Sequence, residues 1–504
     1  MRSDQQQAIN RLAGTSATAF LCAVLCVYPL YIDKFSNLGV IKFTGCFTLF
    51  LLFLLWLVAC TAIGARAPRP RNANAGRDVT LWGELAFAGT SLISTFTSLS
   101  PTASTWGLGG YYGGLMLVLF TAAGYWAVRS YLDLENLDFV FWVLGITTSI
   151  VAVLYVLNIF NIDLIGAYAD TAVVERAQFF STLGQKDFNG CFFSVALPIV
   201  FYQFLNAKDT RTAVWTGIPA AFGALALAVV DSEALALGIG AAVMVLVCHK
   251  NFTTRHLRRA ALISAAFFGW AAWMHYMRAS VYTQGGTALL AKLGAWQVAL
   301  PCMAASLLLW LVLFVLARKG IAAQAPLYLP GRVITIAVLA VGALAFVLAN
   351  AMPNLPLPES LHNLLVFNDD WGTYRGVAWR AAFGTWADGS LLRKIVGIGP
   401  GMMHTAVAAW AGDAMTARMA TFYAAHNEYL EQLLTTGILG LAAWLLLVAA
   451  HLQRGERSWN TPGVAPVMLA LCSYLAQAVV SIRVSMVFPL VMLLFGALAA
   501  LTAP

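Results

Sequence analysis

Long apolar runs broken by short polar clusters repeat along this chain from one end to the other. A run of about 20 residues is what a helix needs to cross the hydrocarbon core of a bilayer, where each backbone polar group must find its partner within the segment. The pattern predicts spans near Ala17–Ile32, Val40–Ile63, Val79–Ser98, a fourth ending at Arg129, then Phe139–Phe160, Gly190–Leu205 and Ala213–Val230. An eighth leads into HKNFTTRHLRR. Others are expected near Ala260–Met277 and Gly294–Leu316, before Ala349, from Tyr429, and over Val464–Ile482 and Val484–Leu501. Short alternating segments of the kind that build a membrane barrel are missing from the pattern. The expected fold is all-α: a polytopic membrane protein with about 14 transmembrane helices.

Two polar stretches are too long to be turns. They divide the chain into N-terminal transmembrane helices (1–160), central helices with a loop at 161–188 (161–350), a long loop (351–427) and C-terminal helices (428–504). In the long loop, aromatic residues at helical spacing predict short interfacial helices.

Composition sharpens the class. The 504 residues are 60% hydrophobic and 10% charged, with a mean hydropathy of +0.77, too few charges for a soluble domain of this length. The formal charge of +8 invites a nucleic-acid reading, but the basic residues sit in short loops, not along one face or tail. RAPRPRNANAGR (Arg66–Arg77) carries four arginines and no acid. With the N-terminus inside, the alternation of spans puts about 18 of the 30 Lys and Arg in inner loops, and both long loops then face out. MRSDQQQAINR precedes a first run without a small-residue cleavage site, so that run reads as a retained span. Most of the eight cysteines lie inside apolar runs and no CxxC pair occurs, which argues against a disulfide framework or a zinc site.

An outer loop has no access to ATP, and no phosphate-binding fingerprint is present, so chemistry there must draw on a pre-activated lipid-linked donor or an ion gradient. The candidate residues gather in the two outer loops. Ala425–Gly440, AHNEYLEQLLTTGILG, turns from polar loop into apolar helix, with His426 and Asn427 at the turning point and Glu428 and Glu431 in the first turn or so. Acids there suit a helix N-terminus, so one reading of this stretch is capping at a membrane interface. The other is catalytic. Cations on an outward loop run against the positive-inside tendency and ask for a reason. Arg375 and Trp379 are four apart on one helix face while Arg380 points elsewhere, and Arg393 and Lys394 fit lipid-phosphate anchors. A guanidinium fork matches phosphate oxygens, which makes Arg375, and Arg176 and Lys186 of the earlier loop, candidate phosphate ligands together with Arg380. Trp371, Trp386 and Trp410 fit interface anchors or sugar-stacking platforms.

The motifs GIGPG (Gly397–Gly401) and His426-Asn427 with Leu430, Gly437 and Gly440, preceded by Arg375 and Trp379, resemble those of the O-antigen ligase/polymerase superfamily of bacterial membrane glycosyltransferases. STLGQKDFNGCFFSVALP (Ser181–Pro198) is similar to that family's earlier loop and Pro-ended span. The resemblance covers roughly Glu175–Leu246 and Asp369–Gly496. It implies a metal-independent enzyme without a cofactor on the outer face of the bacterial inner membrane. The donor would be a glycan on undecaprenyl diphosphate. The acceptor would be a hydroxyl on a glycolipid, glycan, wall polymer or protein. His426 would activate the acceptor, and Arg375 would hold the diphosphate, with Arg176, Arg380, Lys186 and Asn427 around the substrate. Two departures stand out: Ser232-Glu233 replaces the Ser-Arg that many members carry, which leaves Arg176, Arg278 or Arg483 to supply the second phosphate contact, and the span count exceeds the usual dozen. The rival class is a transporter or flippase of lipid-linked or polar substrates, which would place charges or broken helices at span centres and show an internal repeat.

Overall fold

The computed structural model describes residues 2–66, 78–108, 110–230, 232–280, 293–321, 324–352, 355–410 and 424–503. Arg69, Arg71 and Arg77 of the basic cluster and Asp231 lie outside the described residues. Among the described residues the regular structure is helical, with no strand.

The first third holds α1 (Arg2–Cys22), α2 (Leu38–Ile63), α3 (Val79–Phe96), the short α4 (Pro101–Trp106), α5 (Leu115–Tyr131) and α6 (Leu137–Ile159). Then come α7 (Lys186–Asn206), α8 (Thr210–Val229), α9 (Glu233–Cys248), α10 (Thr254–Ser280), α11 (Trp296–Arg318) and α12 (Tyr328–Ala351). The long loop folds as α13 (Glu359–Leu365), α14 (Trp371–Ala387), α15 (Leu391–Val396) and α16 (Met403–Trp410). The chain closes with α17 (Glu428–Arg457), α18 (Val464–Gln477) and α19 (Phe488–Leu501).

Eight helical segments among the described residues are long and apolar enough to cross a membrane, namely those containing α1, α2, α6, α7, α8, α11, α12 and α17. α9, α18 and α19 are apolar but shorter. Eight, not about 14, is therefore the number of described helices that meet both length and apolarity, although each expected span does coincide with a helix.

Burial follows from composition. α19 has no polar side chain between Phe488 and Leu501 and is buried from Phe488 to Ala499, as suits a helix that is apolar all round. It runs beside α5, while α7 packs on α8, α9 and α18, and α3 runs along α17. At the periphery, only 6% of the most apolar stretch of α11 or of α12 is buried within the protein.

α3 and α17 run antiparallel, and an ionic clamp ties one end of the bundle. Asp78 caps α3 by accepting from the Thr80 N–H (3.1 Å), and its carboxylate bridges Arg129 at the end of α5 and Arg454 near the end of α17 (3.0 Å). Arg454 also donates to the Thr80 hydroxyl (3.2 Å). One acid thus joins three helices far apart in sequence. A second polar device stands in α2. Lys42 is fully buried and donates to the carbonyls of Tyr28 (3.1 Å) and Pro29 (2.9 Å), where the helix continuing from α1 tightens and stops. It adds a donor to two carbonyls at the helix end, of which Tyr28's also accepts the Tyr31 N–H and Pro29's the Thr182 hydroxyl.

Removing one partner of a buried ion pair leaves charge uncompensated and typically costs about 3–5 kcal/mol. Asp78→Ala is expected to cost about 3 kcal/mol, toward the lower end because both arginines keep partial solvent contact, and to lower the melting temperature in detergent. Thermal unfolding followed by circular dichroism checks this.

Candidate functional site

At the other end of α3 and α17 the helices meet the long loop. α17 is not continuous: Gly437 has φ +69° and ψ −172°, which splits a first segment, 428–436, from a second, 438–457. At 1.5 Å per residue the second segment is about 30 Å long, the thickness of a hydrocarbon core. The first segment, with its two acids, is an addition at the His426 end.

The kink strips the Thr435 carbonyl of its ordinary helical partner. Two donors replace it, the Gly399 N–H (2.9 Å) and the Ser94 hydroxyl (2.5 Å) from α3. Glycine is required on both sides of this contact. Gly397, at φ +82°, lies so close that a Cβ would fall on the Thr435–Thr436 backbone, and a Cβ on Gly437 would fall on the Ile395 carbonyl. The GIGPG turn is thus a backbone-to-backbone lock on α17. Behind it the loop has its own apolar core, in which Val377, Ala378, Ala381 and Ala382 of α14 meet Ile398, Met402, Met403, Val407 and Leu434. The short helices expected in the long loop are present, and they share a small apolar core seated on α17.

The lock presents the residues just ahead of α17. Asn427 is the helix cap, its side-chain oxygen accepting from the N–H groups of Tyr429 and Leu430 (3.0 Å each). His426 precedes it with φ +51°, a left-handed conformation that histidine adopts at a cost and that neighbours must hold. Trp379 donates to the His426 carbonyl (3.4 Å), and the Ala425 N–H donates to Glu431 (3.2 Å). Arg375 arrives from α14 after three left-handed residues, Gly372 to Tyr374. Its guanidinium is mostly buried, stands 4.0 Å from Glu233 at the start of α9, and keeps an Nε–H with no acceptor. Asp187, in the first turn of α7, accepts from Ser232 (2.9 Å).

Electrostatically these groups form one unit. Burial first, then the nearby Arg375, pull the His426 pKa down to about 4, and Asp187 opposes the shift. His426 is therefore a neutral imidazole at pH 7, able to accept a proton. The Ser232-Glu233 pair puts an acid, not a second arginine, opposite Arg375.

The other sequence candidates are placed as follows. Arg380 is exposed and paired with Asp369, on a different side of α14 from Arg375. Arg176 lies over the Tyr168 ring (5.3 Å) in the 161–188 loop, with its Nε–H buried and unbonded. Lys186 is exposed at the start of α7, beside Asp187. The indoles of Trp371, Trp386 and Trp410 donate to Leu364 (3.0 Å), Lys394 (3.3 Å) and Asp388 (2.8 Å), so each ties the loop together.

A second cluster, on the first segment of α17, was only partly visible in sequence. Glu428 is buried, accepts from the Tyr474 hydroxyl and lies 3.6 Å from Arg483. Arg483 is enclosed by the rings of Phe488 (4.4 Å), Phe87 (5.4 Å) and Trp444 (5.6 Å). Its pairing with Glu428 joins the α18–α19 connection to α17, a contact that spacing along the chain does not announce. Among the described residues no three His, Cys, Asp or Glu side chains are grouped as a metal site.

No protein-family model matches this chain, and no curated protein does.

Two outcomes follow. Gly437→Ala is expected to unseat the loop domain, since it combines a disallowed φ with a backbone collision; tryptic cleavage after Arg393 and Lys394 should then accelerate while the clamp end stays intact. Arg375→Gln is expected to raise the His426 pKa from about 4 toward, but not fully to, the ordinary value of about 6.5, because burial remains. Histidine-ring NMR of ¹³C-labelled protein in micelles reads the shift.

Proposed function

We propose that this chain is a metal-independent membrane glycosyltransferase of the O-antigen ligase kind. It moves an oligo- or polysaccharide from undecaprenyl diphosphate to an acceptor hydroxyl on the outer face of a bacterial plasma membrane, in a fourteen-span topology with the His426 end outward. The observation that carries the reading is the juxtaposition of a neutral His426 with the open guanidinium edge of Arg375, on the residues that carry the motif resemblance.

In this mechanism the acceptor oxygen attacks the anomeric carbon. The bond from that carbon to the diphosphate oxygen breaks, the diphosphate leaves on Arg375, and the acceptor proton passes to His426. Positioned acid–base help of this kind contributes about 10²–10⁴ in rate. The geometry also couples donor to base. A diphosphate on Arg375 offsets the guanidinium's field, so His426 becomes more basic when the donor is bound and less so when it is absent. Glu233 serves as the resting counter-ion that the diphosphate displaces.

One observation favours the rival transporter class. Glu84 of α3 is 2% exposed with both carboxylate oxygens unbonded, and a Tyr125–His451 hydrogen bond (3.0 Å) joins the neighbouring helices α5 and α17. Intramembrane acids of this kind occur in ion and proton pathways.

The test is glycan transfer by purified protein in nanodiscs, with a lipid-diphosphate donor and EDTA. Wild type is expected to transfer, and His426→Ala and Arg375→Ala to lose at least about a hundredfold at matched folding. Normal transfer by His426→Ala would leave that residue as a strained helix lead-in only. Movement of lipid-linked sugar across the bilayer without transfer, abolished by Glu84→Gln, would establish the transporter reading instead.

A further inference from the structure

From Ala234 to Pro358 the chain has no Asp or Glu but nine Lys and Arg. The helices α10, α11 and α12 therefore hold no acid of their own to balance these cations. Most of the nine stand at one end of the bundle, where α10 starts, α11 stops and α12 starts. This end lies away from His426: His249, just after α9, stacks on Trp459 (4.1 Å), just beyond the far end of α17.

Three of the arginines fall in the first two turns of α10, the positive end of its dipole, where cations are unfavourable and no acid accompanies them. Two of the three reach the negative end of another helix. Arg255 donates to the Ala207 carbonyl, and Arg259 to those of Phe204 (3.0 Å) and Leu205 (3.1 Å), at the C-terminus of α7. Arg258 does not. Its guanidinium lies over the Phe314 ring of α11 (5.9 Å), and Arg318 lies over the same ring (5.2 Å). Trp310, one turn back along α11, stacks on Phe314 (5.4 Å) and steadies this platform. Among the described residues neither Arg258 nor Arg318 has a hydrogen-bond or ion-pair partner.

Two like charges thus share one ring with no acid beside them. A guanidinium whose face rests on a ring keeps its N–H edge for an acceptor, and here that acceptor must be an anion. Position narrows the choice. Arg318 ends α11, and only 6% of the most apolar stretch of that helix is buried within the protein, so lipid chains run along it. The ring and its two arginines stand where such a helix leaves hydrocarbon for headgroups. A soluble anion would use the guanidiniums alone, whereas a phospholipid lays its chains on α11 and brings a phosphate to its end.

We infer that the Arg258–Phe314–Arg318 cluster binds the headgroup of an anionic phospholipid. The positive-inside tendency accounts for cations at this end, but not for two guanidiniums converging from different helices on one lipid-facing ring. The inference is independent of the glycosyl-transfer reading and needs only the membrane-spanning class.

The experiment is native mass spectrometry of the full chain released from detergent micelles, titrated with phosphatidylglycerol or with phosphatidylcholine of identical acyl chains. The first phosphatidylglycerol is expected to bind at least about twentyfold more tightly than phosphatidylcholine. Arg318→Gln, at an exposed position, should cut that preference about fivefold, and Arg258→Gln combined with it should abolish the preference, the scale of one and of two basic side chains at an anionic surface. Arg11→Gln, which removes an exposed cation of α1, should leave it unchanged. Where the double variant fails to fold, Arg318→Gln alone decides. Equal binding of the two lipids, a preference kept in the folded variants, or a loss as large in Arg11→Gln overturns the site. Displacement of the lipid by inorganic phosphate at constant ionic strength overturns it in favour of a soluble anion.

Discussion

The Thr435 carbonyl is the point on which this architecture turns. Because Gly437 breaks α17, that carbonyl must be satisfied from outside the helix, and the Gly399 N–H and Ser94 hydroxyl do so. One contact therefore joins the longest loop, the third helix and the helix that begins beside His426. Glycine at 397 and 437 lets two backbones touch where side chains would hold them apart. The motif glycines are in this sense architectural: they fix the backbone that leads from His426 into α17.

The bundle is polarised by that arrangement. At one end Asp78 pairs with both Arg129 and Arg454 and binds three helices together. At the other, charges are left incompletely satisfied: Arg375 with an open Nε–H beside Glu233, and Glu428 and Arg483 a little too far apart to bond. Buried polar atoms without partners cost free energy, and those of Arg375, Glu428 and Arg483 gather at the end where His426 holds its left-handed conformation. Glu84 of α3 and Trp444 of α17, buried with unbonded polar atoms between the two ends, do not follow this division.

Much of this was legible in the chain. Helix positions, the all-helical class and the special character of 369–440 follow from run length, glycine placement and polar clustering, all of them local properties. The face shared by Arg375 and Trp379 was readable from helical spacing, and both side chains do converge on the His426 region. Asn427 as a cap was open in the sequence beside its reading as a substrate ligand; its oxygen is used by two N–H groups of α17. Helical spacing of the aromatics gave the short helices of the long loop, but not the core they share. The alanines of α14 are what pack inward, and alanine carries little signal about what it faces.

What the sequence determined by itself is where helices form and which residues are too polar to lie in lipid, since both depend on a residue and its near neighbours. The tertiary structure alone decided the pairings. That Glu233 faces Arg375, that Arg483 meets Glu428 beneath three aromatic rings, and that Asp78 bridges two arginines from distant helices depend on which helices lie side by side. Short-range electrostatics and hydrogen bonding act over a few ångströms, and only the packed bundle brings residues hundreds of positions apart within that range.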